Sequence, residues 1–253
     1  APLRSIVFLA LCGAHVREEI MVVAFPRLGT RALLLVLFGV CHGRHVFPDC
    51  PSSDIIHPCR CSATILGLRV ICTRIANEQT LRNLLAYLSN YRMNALTLHN
   101  INFTVTPDLF SRLQVVTVKI TESEFRMKDT FTPGRPAIAS GVEDLDVRLS
   151  TLDLGNGNLA VMRGLRRVVV DASNITVLKR SWFDGLSRLT QFAIENTQLG
   201  RLEDRALAGL YEVHSIILTA DGLKYLRRSY FPPLAARLAH LDFSDNRLTS
   251  LPT

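Results

Sequence analysis

The feature that most constrains the fold is an apolar pattern that recurs at a nearly fixed interval in the second half of the 253-residue chain. Leu, Val, Ile or Phe residues occupy the first, fourth and sixth positions of each copy. The fourth positions of the clearest copies are Val168, Phe192, Ile216 and Leu241, separated by steps of 24, 24 and 25 residues. A constant interval of this length is typical of a protein built from stacked structural repeats.

Each copy predicts one short strand and a return segment. Phe192 and Ile194 are two residues apart, so they lie on one face of a strand, and their immediate neighbours lie on the other. One unit cannot bury its own apolar face, so stacked copies share a core. The pattern resembles that of leucine-rich repeats. This predicts an α/β-type solenoid, a horseshoe with one short parallel strand per repeat and an irregular, 3₁₀ or helical convex side.

Less regular copies begin upstream at Met93, Leu113 and Val142. Pro and Gly residues between Lys128 and Gly141 indicate a loop inserted within a repeat. We therefore expect about seven repeats over residues 93–253. The polar position that follows each strand is Asn only at Asn246; elsewhere it holds Ser150, Ser173, Thr197 or Asp221. We expect these shorter polar side chains to form similar local hydrogen bonds.

The residues before the repeats predict a leader. Residues 21–43 have a basic start, a short apolar run and small residues at the end, which is the pattern of a secretory signal peptide. We interpret residues 1–20 as translated upstream sequence or the edge of a fragment. Residues 74–92 contain four leucines at helical spacing, which predicts a short amphipathic helix that packs against the first turn of the core.

Residues 44–73 form a cysteine-rich segment. Cys50, Cys59, Cys61 and Cys72 allow three disulfide pairings. Behind a signal peptide, a disulfide-linked cap over the first strand is favoured over the alternative, a zinc site formed by the same thiols with His57.

The cysteine spacing, Cys50-Pro…Cys59-x-Cys61…Cys72, resembles the N-terminal cysteine cap of extracellular leucine-rich repeat proteins. The resemblance implies the disulfides Cys50–Cys61 and Cys59–Cys72. The gap between the first two cysteines is longer than the commonest form in that family. The segment also looks like that of arthropod secreted proteins similar to the non-catalytic subunit of a luciferin monooxygenase.

The outward faces of the strands predict a binding surface. Seven strands spaced about 4.8 Å apart span roughly 30 Å, and they present about 20–28 side chains, close to one side of a standard protein interface. The concave candidates are Arg167, Val169, Asp171, Gln191, Glu195, Ser215, Ile217, Thr219, His240 and Asp242. We expect Val169 and Ile217 to be exposed, either as partner contacts or as isolated surface residues. Asp144, Asp146 and Arg148 extend the surface upstream.

The sequence contains no motif for catalysis or phosphate binding. There is no Gly-x-Ser-x-Gly, His-Glu-x-x-His or glycine-rich phosphate loop. His240 and Asp242 could be a base and its orienting group, but two polar residues on a solvated face is the simpler interpretation. The net charge is +7 without a Lys/Arg run interleaved with aromatic residues. We therefore predict no enzyme activity, no metal site, no cofactor, no small-molecule substrate and no nucleic-acid partner.

Together these patterns predict an extracellular protein-recognition module that binds a secreted or cell-surface protein. One alternative, implied by the arthropod resemblance, is a non-catalytic stabilising subunit of a secreted oxidoreductase-type complex. The other is an ectodomain fragment of a membrane glycoprotein. Asn102 and Asn174 head two N-glycosylation sequons. Because Thr253 lies inside a repeat, we expect the natural protein to continue into repeats, a cap, an immunoglobulin-like domain or a membrane tether.

Overall fold

The structure is a computed structural model that describes residues 49–127, 141–233 and 236–249. These residues belong to one compact unit. The predicted signal peptide, the segment before it, residues 128–140 of the predicted loop insertion and the last four residues lie outside the described residues.

The described part of the chain contains short strands, two α-helices and four 3₁₀ turns. The strands are β1 (Arg60–Thr64), β2 (Gly67–Thr73), β3 (Arg92–His99), β4 (Thr104–Val105), β5 (Gln114–Thr121), β6 (Glu124–Arg126), β7 (Asp144–Arg148), β8 (Thr151–Asp153), β9 (Arg167–Asp171), β10 (Asn174–Leu178), β11 (Gln191–Glu195), β12 (Gln198–Leu202), β13 (Ser215–Thr219) and β14 (His240–Asp242). The helices are α1 (Ser53–Ile56) and α2 (Glu78–Leu88). The 3₁₀ turns are Pro107–Phe110, Leu159–Val161, Arg180–Trp182 and Arg228–Tyr230.

Nine strands form the main sheet in the order β1-β2-β3-β5-β7-β9-β11-β13-β14. The first two strands form an antiparallel hairpin. Every later neighbour pairs in parallel, from β2–β3 through to β13–β14. Successive repeats therefore place their strands side by side in chain order, and the predicted solenoid fold is confirmed.

The register places the predicted apolar column on adjacent strands. Val168 is opposite Phe192, Phe192 is opposite Ile216, and Ile216 is opposite Leu241. The first three side chains are fully buried. Leu241 is 47% exposed, because no other described strand pairs with the far edge of β14. The column is therefore correct in register, but Leu241 is not enclosed by the described residues.

A second parallel sheet runs along the return segments, in the order β12-β10-β8-β6-β4. Its strands are only two to five residues long. The sequence pattern predicts 3₁₀ turns there, and four are present, but it does not predict this sheet. Stacking brings equivalent return segments within pairing distance, so their backbone groups bond to each other even though the side chains carry no strand pattern.

Large side chains fill the core between the two sheets. The rings of Phe183 and Phe192 meet edge to face, with centroids 4.9 Å apart. Trp182 is buried, and its Nε1–H donates to the carbonyl of Gly155 across repeats at 3.2 Å. At the N-terminal end, α2 buries the leucine face expected of an amphipathic helix, and the Asn77 side chain caps its first turn.

A ladder of polar side chains links the turns that follow the strands. The backbone N–H of each ladder residue donates to the side chain of the next: Ser123 to Ser150 (3.1 Å), Ser150 to Ser173 (3.2 Å), Ser173 to Thr197 (3.4 Å), Thr197 to Asp221 (3.0 Å) and Asp221 to Asn246 (3.1 Å). The Ser and Thr hydroxyls also donate to carbonyls of their own turn. The local hydrogen bonds expected of the Ser, Thr and Asp residues that replace Asn are therefore observed.

Candidate functional site

The candidate binding surface is the solvent-facing side of the main sheet, here called the concave face. Strand register groups its side chains into three rows. The first row contains Asp144, Arg167, Gln191, Ser215 and His240; the middle row contains Lys119, Asp146, Val169, Ala193, Ile217 and Asp242; the third row contains Thr121, Arg148, Asp171, Glu195 and Thr219. All ten residues predicted from the sequence lie in these rows, so the fold brings them to one face.

An ion-pair network occupies the upstream half of this face. Arg148 Nε donates to Asp146 Oδ1 at 2.7 Å, and Lys119 Nζ lies 3.8 Å from Asp146 Oδ2. Arg148 Nη1 also lies 3.4 Å from Asp171 Oδ2, and Asn196 donates to the other oxygen of that carboxylate at 3.0 Å. The hydrogen bond to Asp146 raises the pKa of Arg148. Asp146 is 97% shielded from solvent, so the two cations of this network are placed against a buried carboxylate.

Small apolar side chains follow the network in the middle row. Val169 is only 5% exposed and Ala193 only 6%, whereas Ile217 is partly exposed. The expectation that Val169 is an exposed apolar contact is therefore wrong. Val169 sits between Asp146 and Ala193 in the interior of the sheet, where side chains of neighbouring strands shield it from water. Ile217 lies nearer the downstream edge and remains accessible.

Polar groups of the downstream half are available at the surface. Gln191 is exposed, and Glu195 is half-buried. Neither side chain forms a hydrogen bond or an ion pair with any residue the structure describes. Ser215 and Thr219 stand next to them on β13. The concave face thus combines an ion-pair network upstream, small apolar side chains in its middle row and accessible polar side chains on β11 and β13.

His240 and Asp242 are not arranged as a catalytic base and its orienting group. Asp242 Oδ1 accepts hydrogen bonds from Ser244 N at 2.9 Å and from Ser244 Oγ at 2.7 Å. These bonds lower the pKa of Asp242. His240 is exposed, and no hydrogen bond joins it to Asp242. Because no hydrogen bond joins the two side chains and one carboxylate oxygen is held by its own turn, the pair lacks the geometry of a general base with an orienting group.

Cys50 is joined to Cys61 and Cys59 to Cys72, the pairing that the resemblance implies. The second bridge ties the start of β1 to the end of β2, so it closes the hairpin at the edge of the main sheet. With these thiols oxidised, they are not zinc ligands. Among residues 49–127, 141–233 and 236–249, no three His, Cys, Asp or Glu side chains are grouped to hold a metal ion.

Both sequon asparagines lie away from the concave face. Asn102 and Asn174 are exposed on the turn edge and line the same open depression of about 670 Å³, together with Leu149. Thr104, the hydroxyl residue of the first sequon, donates to Glu124 at 2.9 Å. A glycan on either asparagine would project from this edge rather than across the concave rows.

Comparison with known proteins adds one match. A family profile described as Leucine rich repeat matches residues 163–223, which span β9 to β13. The fold is a leucine-rich repeat solenoid. The match and the parallel sheet support a leucine-rich repeat protein and, at the level of function class, a protein–protein interaction module. A search of curated proteins found no match to the chain.

The helices of this leucine-rich repeat solenoid are short. Within the described residues, no helix combines the length and the apolar character needed to cross a bilayer. The longest, α2, has 11 residues and only one apolar face.

Proposed function

We propose that the protein is an extracellular, non-catalytic recognition module that binds another secreted or cell-surface protein through its concave face. The observation that carries the proposal is the continuity of the three side-chain rows, each of which runs across five or six parallel strands. A surface of this extent matches a macromolecule better than a metabolite pocket.

Charge and accessibility point to the downstream half of the concave face as the main contact region. The ion-pair network around Asp146 is already satisfied within the protein, so breaking it on binding would be costly. The side chains of Gln191 and Glu195 form no hydrogen bond or ion pair with the described residues, and they flank the apolar centre. A partner that supplies hydrogen-bond donors and a small apolar side chain here would satisfy them.

The extracellular part of the proposal is supported by the two disulfides and by the exposed sequons. Disulfides persist in oxidising compartments. The test is expression of the full chain in secretory cells. We expect the protein in the medium, with two glycosidase-sensitive mass steps that N102Q and N174Q remove one at a time. Retention in the cytosol with reduced cysteines would refute this part.

The concave contact can be tested with a matched pair of positions. Gln191 and Gln198 are both exposed first residues of strands, but Gln191 lies on the main sheet and Gln198 on the second sheet. A photoreactive amino acid at position 191 should crosslink a secreted or cell-surface protein that position 198 does not capture. With that partner purified, Q191R should weaken binding by about tenfold or more, and Q198R should leave it unchanged.

The same experiment distinguishes the alternatives. An enzyme crosslinked at position 191 in fixed stoichiometry would favour the stabilising-subunit function. Equal losses of affinity in Q191R and Q198R would show that the concave face is not the contact surface.

A further inference from the structure

The second sheet ends at a groove beside one of its edge strands. β12 is its edge strand, and no strand of the described residues pairs with the outer edge of β12. The next return segment, residues 222–226, leaves a cavity of about 280 Å³ against it. Gly222 has φ +74°, and a Cβ placed there would meet no atom within 4 Å. The floor of the groove is therefore open to solvent.

Cationic and aromatic side chains line this groove. Arg201 of β12, Lys224 and Tyr225 line the cavity, and Arg227 stands beside it with its guanidinium 5.7 Å from the centre of the Tyr225 ring. We call these four residues the basic groove. Each is exposed, and Tyr225 is 52% exposed.

The cations of the basic groove are not neutralised within the protein. Arg201 and Lys224 make no ion pair with any residue in the described ranges. The acidic residues that follow β12 form hydrogen bonds instead of ion pairs with these cations: Glu203 accepts from the backbone N–H of Arg180 at 3.0 Å, and Asp204 accepts from Ser229 at 2.7 Å. Unpaired like charges on adjacent segments repel each other, so an anion placed between them would be stabilising.

We propose that the basic groove binds a sulfated oligosaccharide. Sulfate oxygens accept charge-assisted hydrogen bonds from guanidinium and ammonium groups. The exposed Tyr225 ring offers a flat apolar surface with a polar edge, which suits the face of a sugar ring. The cavity is slightly below the usual range for sites that enclose a small ligand. A cavity of this size matches one segment of an oligosaccharide whose remaining units lie along the surface.

A lipid surface fits the same residues less well. None of the large aliphatic side chains that are exposed in the described ranges lies in the basic groove; its one exposed large apolar side chain is Tyr225. A membrane-binding patch would be expected to insert such residues beside its cations. The proposal relies on the extracellular location proposed above, where sulfated glycans occur, but it does not depend on the concave face.

The test is binding of a size-defined heparin oligosaccharide to the purified full chain, measured by calorimetry at two salt concentrations. R201E/K224E should weaken binding about tenfold or more and reduce its salt dependence, because two charge contacts are lost. The matched control is R69E/R92E, which changes the net charge equally at two exposed arginines on neighbouring strands of the main sheet. This control should bind nearly as well as the unmodified protein.

Several outcomes would overturn the proposal. Equal losses in both double variants would show that only net charge matters. Equal binding of the desulfated oligosaccharide would exclude sulfate recognition. Tighter binding of phosphatidylserine vesicles or of single-stranded DNA would assign the groove to a different ligand. The unfolding midpoint of each variant is measured in parallel, and R201Q/K224Q replaces the charge-reversed pair if that pair unfolds more readily.

Discussion

Asp221 is the one ionisable residue among the five ladder residues that follow Ser123, and its carboxyl group is buried. We therefore expect the stability of the protein to depend on pH. Its Oδ1 accepts from Thr197 N at 3.0 Å, but its Oδ2 makes no hydrogen bond to any described residue. The side chain is 96% shielded from solvent. Burial, and to a lesser extent the charge of Glu195, raises the pKa of Asp221 to about 7, although the Thr197 N–H opposes this change.

The sign of the pH effect follows from this raised pKa. The folded state holds the proton more tightly than the unfolded chain, whose Asp titrates near 3.9. The stability contributed by the protonated carboxyl is therefore complete below about pH 4 and is lost as the pH rises through about 7. A difference of about three pKa units corresponds to at most about 4 kcal/mol. Because the turn can relax around the charge, we expect about 1–3 kcal/mol.

D221N removes the charge and supplies a donor. Asn246, one repeat further on, uses its Nδ2 to donate to the carbonyls of Leu218, Phe243 and Ser244. The register places the carbonyl of Ile194 at the position equivalent to that of Leu218. We therefore expect D221N to stabilise the protein at pH 8 by about 1–3 kcal/mol more than at pH 4.

Urea unfolding at both pH values measures the effect, and the difference between variant and unmodified protein cancels the other titrating groups. D242N is the matched control, since Asp242 is only partly buried and accepts two hydrogen bonds from Ser244. It should not increase stability at pH 8. The reasoning is refuted if D221N gives the same change at both pH values, or none at pH 8.

Three further substitutions test the packing. F192A should destabilise the solenoid by about 3–5 kcal/mol in urea unfolding, because a fully buried ring is removed from the core. S173A should cost about 1–2 kcal/mol, because the buried N–H of Ser150 loses its acceptor. C59S/C72S should cost about 3 kcal/mol, because a bridge spanning 13 residues no longer restricts the unfolded chain.

Each of these three has a control in the same region. Q191A, on the strand of Phe192, should change stability by less than about 0.5 kcal/mol. S173T keeps a hydroxyl and should restore most of the loss in S173A. Reducing agent should lower the unfolding midpoint of the unmodified protein but have a smaller effect on C59S/C72S. Loss in S173A without recovery in S173T would indicate a packing effect instead of a hydrogen bond.

The solenoid could be predicted because its signal is periodic and large. Val168, Phe192 and Ile216 recur at one interval, and a 24-residue period with this apolar pattern is typical of leucine-rich repeats. The second sheet could not be predicted, since strands such as β4 contain two residues and form only because stacking aligns their backbones. Alternation along a strand placed Val169 on the correct face, but its burial depends on side chains of neighbouring strands.

The proposed sites, too, could be predicted only in part from the sequence. Gln191 and Glu195 were assigned to the concave face from strand alternation alone. Arg201 and Lys224 of the basic groove are 23 residues apart in the sequence, and only the stacking of successive repeats brings them to one cavity. The pKa of Asp221 likewise depends on burial, which the identity of the residue does not reveal.

The backbone hydrogen bonds of the polar ladder all run from an earlier repeat to a later one, and this relates the ladder to the order of protein synthesis. Each of the five backbone N–H groups of the ladder donates forward, to a side chain that lies 23 to 27 residues later. During translation each turn therefore emerges with one unsatisfied donor, and the next turn to leave the ribosome supplies its acceptor. Growth of the ordered structure from the amino end follows the order of synthesis, and the newest repeat is always the least protected one.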